Sequence, residues 1–128
     1  MLLSECLGEV AARFPDVPLG IYVDDSNQHA AGHEARVVER LSAATLALGA
    51  GFAALRLDVT ASKSCGVASS VRLAAALQLR LAAHGVMFTA AVKHLGLDRS
   101  SGRRRNTLTQ RGRLTAFRRR LPRLARLK

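Results

Sequence analysis

The first fourteen residues carry apolar side chains at helical spacing. These side chains are Leu3, Leu7, Val10 and Phe14. A recurrence every three or four positions predicts an amphipathic α-helix over residues 2–14. Pro15 is expected to end this helix, because the residue before a proline is pushed out of the helical region of backbone space.

After this helix the period of the pattern changes to two, which is the period of a β-strand. Leu19 and Ile21 then share one face of the strand. The strand leads into the sequence DDSN, whose residue types are typical of a turn. Residues 17–30 are therefore predicted to form a hairpin that carries its two acids, Asp24 and Asp25, at the bend.

Three further elements are predicted in the middle of the chain. Residues 34–48 return to helical spacing, and the glycines of the sequence GAG at 49–51 are expected to end that helix. Residues 54–60 alternate between apolar and polar side chains, which predicts a strand. Residues 70–84 are predicted to form another helix, which begins at a capping serine and stops at a glycine.

The C-terminal third is predicted to contain one or two strands over residues 86–97, a loop at DRSSG and a basic helix. Apolar residues of that helix recur at heptad-like spacing: Leu114, Phe117, Leu121 and Leu124. The order of elements is thus α-β-β-α-β-α-β-α. It predicts an α+β fold in which a small antiparallel sheet has helices packed on one face and a basic helix follows.

Charge divides the chain into a nearly neutral body and a basic tail. Residues 1–98 hold eight Lys or Arg and nine Asp or Glu, a net charge of −1, whereas residues 99–128 hold twelve cations and no acid, a net charge of +12. This imbalance predicts that the tail binds the phosphates of RNA or DNA. An anionic membrane surface is the weaker alternative, because the tail has no Trp or Tyr to anchor it.

Several features of the sequence indicate an intracellular protein, cytoplasmic or nuclear. Cys6 and Cys65 form neither a CxxC pair nor a metal-ligand pattern, so buried and reduced thiols are expected. The N-terminus has no basic start and carries Glu5, unlike a signal peptide. The longest nearly apolar run, residues 46–55, is too short to span a bilayer, so no membrane insertion is expected.

The adjacent carboxylates of Asp24 and Asp25 have two interpretations. One is a solvated turn, in which water screens the two charges. The other is a divalent-metal site, because Mg²⁺ prefers oxygen ligands and often uses one or two carboxylates together with substrate phosphates. Two such ions about 3.5–4 Å apart can activate an attacking hydroxyl and stabilise the leaving oxygen in phosphoryl transfer.

The sequence YVDD at 22–25 resembles the Tyr-x-Asp-Asp box of reverse transcriptases, which lies at the turn of a palm-domain hairpin. The later sequence GFAALRLDVTASKS is similar to the segment of that family that carries a lysine. The sequence VKHLGLDRSSGRRR is similar to the Leu-Gly element that holds the primer end and leads into a basic thumb helix. The order of these motifs over residues 17–128 most resembles the reverse transcriptases of non-long-terminal-repeat retroelements.

The resemblance implies roles for individual residues. Asp24 and Asp25 would be catalytic ligands of Mg²⁺ or Mn²⁺, and Lys63 would approach the incoming triphosphate as a charge stabiliser or proton donor. Tyr22 would lie beneath the primer end. The other residues implied to bind the primer or nucleic acid are Leu95, Gly96, Arg103, Arg104, Arg105, Arg111, Arg118 and Arg119.

The resemblance also implies a further aspartate on an earlier palm strand, as well as fingers that hold nucleotide and template. Asp16 is the only aspartate before the box, and eight extended residues separate it from Asp24 by about 26 Å. Residues 1–98 are therefore interpreted as a partial palm-like domain and residues 99–128 as a thumb-like tail. The expected function is that of a polymerase fragment, inactive without N-terminal polymerase segments; the alternative is a non-enzymatic basic RNA- or DNA-binding protein.

Overall fold

A computed structural model describes residues 2–22, 25–89, 91–94, 97–100 and 108–125. The helices in these ranges are α1 (Leu3–Arg13), α2 (Glu34–Ala54), α3 (Val71–Leu81) and α4 (Leu108–Ala125). The strands are β1 (Leu19–Tyr22), β2 (Asp25–Gln28), β3 (Cys65–Gly66), β4 (Met87–Phe88), β5 (Ala91–His94) and β6 (Leu97–Ser100). Short 3-10 turns lie at Ala61–Lys63 and Ala82–His84.

The strands pair two by two, within the ranges that the structure describes. β1 and β2 form an antiparallel hairpin, β5 and β6 form another, and β3 and β4 pair in parallel. The predicted α+β class is therefore confirmed. Its strands are distributed over three small sheets, and the loop predicted at DRSSG is partly replaced by β6.

Helix α2 contacts α1 on one side and α3 on the other. The α1 side is a cluster of buried apolar side chains: Val10, Phe14, Val17, Ala44 and Leu48. The α3 side is a second cluster: Val37, Ala68, Leu73 and Leu77. Leu7, Val10 and Phe14 of the stripe that predicted α1 belong to the first cluster, which is why local periodicity located this helix correctly.

Helix α2 does not end at the predicted glycines but continues to Ala54. Gly51 has a different role, because a Cβ at that position would overlap the Sγ of Cys6 on α1. The absence of a side chain at Gly51 lets α1 approach α2 closely. The glycine that was expected to stop the helix is therefore a packing residue within it.

The strand predicted over residues 54–60 is wrong. Leu57 donates its N–H to the carbonyl of Phe52 at 2.9 Å, and Arg56 donates to Ala53 at 3.0 Å. This pair of bonds closes the end of α2 as a Schellman motif, with Arg56 in the left-handed region at φ 57°. Residues 57–60 follow without regular structure. None of the described strands pairs with them.

Among the described helices, α2 has the length and mean hydropathy of a membrane-spanning segment. Length and composition are weak grounds for such a span, because the core helix of a globular protein meets the same criteria. Val37, Ala44 and Leu48 of α2 are buried against neighbouring elements, whereas most of its apolar window is not buried.

The two cysteines are free thiols in different environments. Cys6 is buried between α1 and α2, as predicted. The expectation of burial is wrong for Cys65, which is exposed. Cys65 lies on a strand of only two residues, which among the described strands pairs with β4 alone.

Side-chain hydrogen bonds fix α3 and β4. The hydroxyl of Ser70 accepts from the N–H of Leu73 at 3.1 Å, which confirms the predicted helix cap, and donates to Glu34 at 2.9 Å. The amide of Gln78 accepts from the N–H of Phe88 at 2.7 Å and donates to the carbonyl of Val86 at 3.2 Å. These bonds hold β4 beside α3.

The two glycines of α2 give a matched pair of substitutions. Gly51→Ala should lower the free energy of unfolding by about 1–3 kcal/mol, because the added methyl group forces α1 away from α2. Gly49→Ala should raise it by about 0.5–1 kcal/mol, because the space around Gly49 is open and alanine favours the helix. Urea unfolding of both variants measures the difference, and equal effects would contradict the packing role of Gly51.

Candidate functional site

The hairpin that carries the acidic pair is formed by β1 and β2. Its register pairs Leu19 with Gln28 at the base and Tyr22 with Asp25 at the outer end. The predicted site residue Asp24 follows β1 and precedes β2 in the sequence and lies outside the described residues. The predicted hairpin is confirmed, with Asp25 as the first residue of β2.

The outer end of the hairpin is exposed and its base is anchored. Tyr22 is 61% exposed, Ile21 is 46% exposed and Asp25 is exposed as well. Leu19, at the base, packs against the apolar cluster between α1 and α2. The hairpin thus presents an aromatic ring and a carboxylate to solvent on a support held by the core.

Polar contacts tie the base of β2 to α2. The hydroxyl of Thr45 lies 2.8 Å from Oε1 of Gln28 and 2.8 Å from the carbonyl oxygen of Leu41. A hydroxyl has one proton to donate, so it serves one of these acceptors at a time. The contact orients β2 relative to α2.

The segment that enters the hairpin is held by a cluster of charged and aromatic side chains. Arg40 of α2 binds the carboxylate of Asp16 through two nitrogens: Nη2 lies 2.6 Å from Oδ1, and Nε lies 3.0 Å from each oxygen. Nη2 of Arg36 lies 3.4 Å from Oδ2 of the same carboxylate. The Arg40 guanidinium also lies 4.9 Å from the centre of the buried Phe14 ring. We call Phe14, Asp16 and Arg40 the clamp.

The clamp shifts the pKa values of its two charged members, Asp16 and Arg40. The hydrogen bond from Arg40 lowers the pKa of Asp16, with smaller contributions from the charges of Arg40 and Arg36, although partial burial acts in the opposite direction. The same hydrogen bond raises the pKa of Arg40. Because its carboxylate is bound to two arginines, Asp16 is not available as a further metal ligand for the hairpin.

Sequence reasoning missed the arginines that bind Asp16. Arg36 and Arg40 are one helical turn apart on the polar face of α2, and that spacing is the only signal in the sequence. Similar spacing occurs on many solvated helix faces. The pairing with Asp16 depends on the packing of α1 against α2, which local patterns do not specify.

Lys63 is the last residue of the 3-10 turn Ala61–Lys63, and its side chain is exposed. Among the described residues no salt bridge joins Lys63 to Asp25. The described residues also contain no group of three or more His, Cys, Asp or Glu side chains that could hold a metal ion. The roles of Asp24, Asp25 and Lys63 in metal binding and catalysis stay predictions.

The Leu-Gly element falls in the second hairpin. β5 and β6 pair from Ala91 with Ser100 to His94 with Leu97. Leu95 and Gly96 connect the two strands in the sequence and lie outside the described residues. The implied primer contact of these two residues therefore stays a prediction.

The basic tail contains α4, which contacts β6. Arg111, Arg118 and Arg119 are exposed on this helix. The apolar side chains of Leu114 and Phe117 are 50% and 54% exposed. The other predicted nucleic-acid-binding residues of the tail lie outside the described residues: Arg103, Arg104 and Arg105.

Comparison with known proteins adds no identification: no protein-family model, curated protein or solved structure matches this chain. The resemblance to reverse transcriptases consequently depends on the sequence motifs alone.

The clamp gives a pH-dependent prediction. Asp16→Asn should lower the midpoint of thermal unfolding at pH 7, because it removes the charge that binds Arg40 and Arg36. Since the pKa of Asp16 lies below its ordinary value of 3.8 in the folded state, this stabilisation is present above that value and is lost as the pH falls through the lower, folded-state pKa. Thermal unfolding of both proteins between pH 7 and pH 2 should show their difference vanish in acid.

Asp58→Asn is the matched control for this experiment. Asp58 is exposed and forms no salt bridge within the described part of the chain. Its replacement should leave the midpoint nearly unchanged at every pH. Equal effects of the two substitutions at pH 7 would contradict the clamp.

Proposed function

We propose that this chain is a palm-and-thumb part of a reverse-transcriptase-like polymerase and that it binds RNA or DNA inside the cell, in the cytoplasm or the nucleus. In this proposal the two hairpins and the basic tail form the surface that contacts nucleic acid. The alternative is a nucleic-acid-binding protein without enzymatic ancestry, in which the tail binds alone.

The observation that carries the proposal is the pairing around the two motifs. Tyr22 and Asp25, the first and last residues of YVDD, pair with each other, and the pair His94 and Leu97 flanks the Leu-Gly sequence. Both motifs therefore lie where one strand of an antiparallel hairpin ends and the next begins, which the resemblance implies for the Tyr-x-Asp-Asp box. A protein that needed only a basic tail would have no reason for this coincidence.

The described residues do not by themselves fit a two-metal centre. Asp25 is the described carboxylate at the outer end of the first hairpin, and Asp16 is engaged by Arg40. Two-metal phosphoryl transfer needs several carboxylates that converge from separate strands. No nucleotidyl-transfer step is therefore derived for this chain, and the proposal is confined to nucleic-acid binding.

Charge supports binding through the tail. The exposed arginines of α4 stand in a segment of twelve cations and no acid, opposite a body of net charge −1. Such a segment binds phosphates without reading base sequence, and each neutralised phosphate releases bound counterions. The resulting affinity depends steeply on salt concentration.

A salt titration tests this binding. If six cations contact a duplex, the logarithm of the affinity should fall with the logarithm of the salt concentration, with a slope of about −5. The double variant Arg118→Gln, Arg119→Gln should make this slope shallower by about 2, since each lost contact contributes roughly 0.9. Filter binding of labelled duplexes of unrelated sequence measures the slope.

Two controls accompany the titration. Arg80→Gln removes an exposed cation from α3, outside the tail, and should leave the slope unchanged. The second control belongs to a test of the first hairpin. Tyr22→Ala should weaken binding if that hairpin belongs to the contact surface. Its control Val71→Ala, at an exposed apolar residue of α3, should leave the affinity unchanged. An affinity that barely changes with salt would contradict binding through the tail.

A further inference from the structure

A groove of about 250 Å³ lies on the outer side of the α1 and α2 pair. Its floor consists of buried or half-buried residues: Cys6, Val10, Ala47 and Gly51. Its rim is formed by Glu9, Arg13 and Ala50, all exposed. An apolar floor with a polar rim is the usual form of a groove that accepts an amphipathic helix.

The outer face of α2 extends this apolar surface. Ala43, Leu46, Ala50 and Ala53 follow one another along the exposed side of the helix. Most of the apolar window of α2 is not buried in the described fold. A large uncovered apolar surface on a monomer commonly marks an interaction site.

The charges around the groove favour a basic partner. Glu9 is exposed on the rim of the groove, and Glu39 is exposed on α2, one turn before Ala43. The one cation of the rim, Arg13, has its guanidinium 5.4 Å from the centre of the Phe14 ring. A helix that combines an apolar stripe with arginines would find both apolar contact and opposite charge here.

Helix α4 has these two properties. Leu114 and Phe117 form an apolar stripe that is half exposed, and the exposed arginines of α4 are not matched by a single acid in residues 99–128. A 150 Å³ apolar cavity holds a benzene molecule, so the groove is large enough for the Phe117 ring. Since Leu114 and Phe117 are exposed while α4 contacts β6, the helix does not fill the groove of its own chain.

We propose that α4 of one copy of this chain docks in the α1/α2 groove of a second copy. Each chain offers both this groove and this helix, so reciprocal docking satisfies both in a closed dimer. Phe117 enters the groove, and the arginines that flank the stripe pair with the acids of α1 and α2. This contact needs no nucleic acid, although it uses the α4 arginines to which the proposed function assigns phosphate contacts, so nucleic acid and the second copy would compete for α4.

Sedimentation of the full-length, nuclease-treated protein over a range of concentrations tests the dimer. The wild type should reach twice the 13.7 kDa of one chain. Ala50→Lys, which places a cation in the rim of the groove, and Phe117→Gln, which removes the ring, should each be monomeric. The matched controls Ala75→Lys, on α3, and Thr115→Gln lie on exposed positions away from the two surfaces and should still dimerise.

Mixing the two monomeric variants makes the test specific. The Ala50→Lys chain retains an intact α4, and the Phe117→Gln chain retains an intact groove, so an equimolar mixture should form a dimer through one of the two contacts. This recovery also shows that both variants are folded. A monomeric wild type, a dimeric Ala50→Lys variant or a mixture that stays monomeric would each overturn the proposal.

Discussion

The contact of Arg40 with Asp16 and Phe14 joins two parts of the chain, since 24 residues separate Arg40 from Asp16. Asp16 lies between α1 and β1, Phe14 ends α1, and Arg40 lies on α2. A planar guanidinium that binds a carboxylate through two nitrogens while lying over an aromatic ring fixes direction as well as distance. The clamp therefore fixes the position of the start of the first hairpin relative to α1 and α2.

The position of the clamp separates the structural carboxylate from the exposed one. Asp16, at the base of the hairpin, is held by arginines, whereas Asp25, at the outer end, is exposed beside Tyr22. The charges are also divided along the sequence, because residues 1–98 are nearly neutral and residues 99–128 carry twelve cations and no acid. The charged residues that stabilise the fold are thus distinct from the exposed arginines of α4, which are available to bind a polyanion.

Elements whose pattern is local could be predicted from the sequence. The period-two stretch predicted the first hairpin, and Ser70 marked the start of α3 as its capping residue.

The length of α2 could not be predicted, because the role of Gly51 depends on Cys6, which is 45 residues earlier in the chain. Likewise, the alternation of residues 54–60 is a strand pattern only if another strand pairs with it, and the end of α2 uses those backbone groups instead. Arg40 was missed for the same reason, since its partner is set by helix packing.

Amide hydrogen exchange with and without a single-stranded oligonucleotide separates a palm-like surface from a basic tail. If the hairpins and α4 form one nucleic-acid surface, the oligonucleotide should slow exchange in Leu19–Gln28, in Ala91–Ser100 and in α4. Helix α3, around Arg80, should exchange at an unchanged rate. Slower exchange confined to α4 would contradict the palm-like interpretation and leave a protein that binds nucleic acid through its basic tail alone.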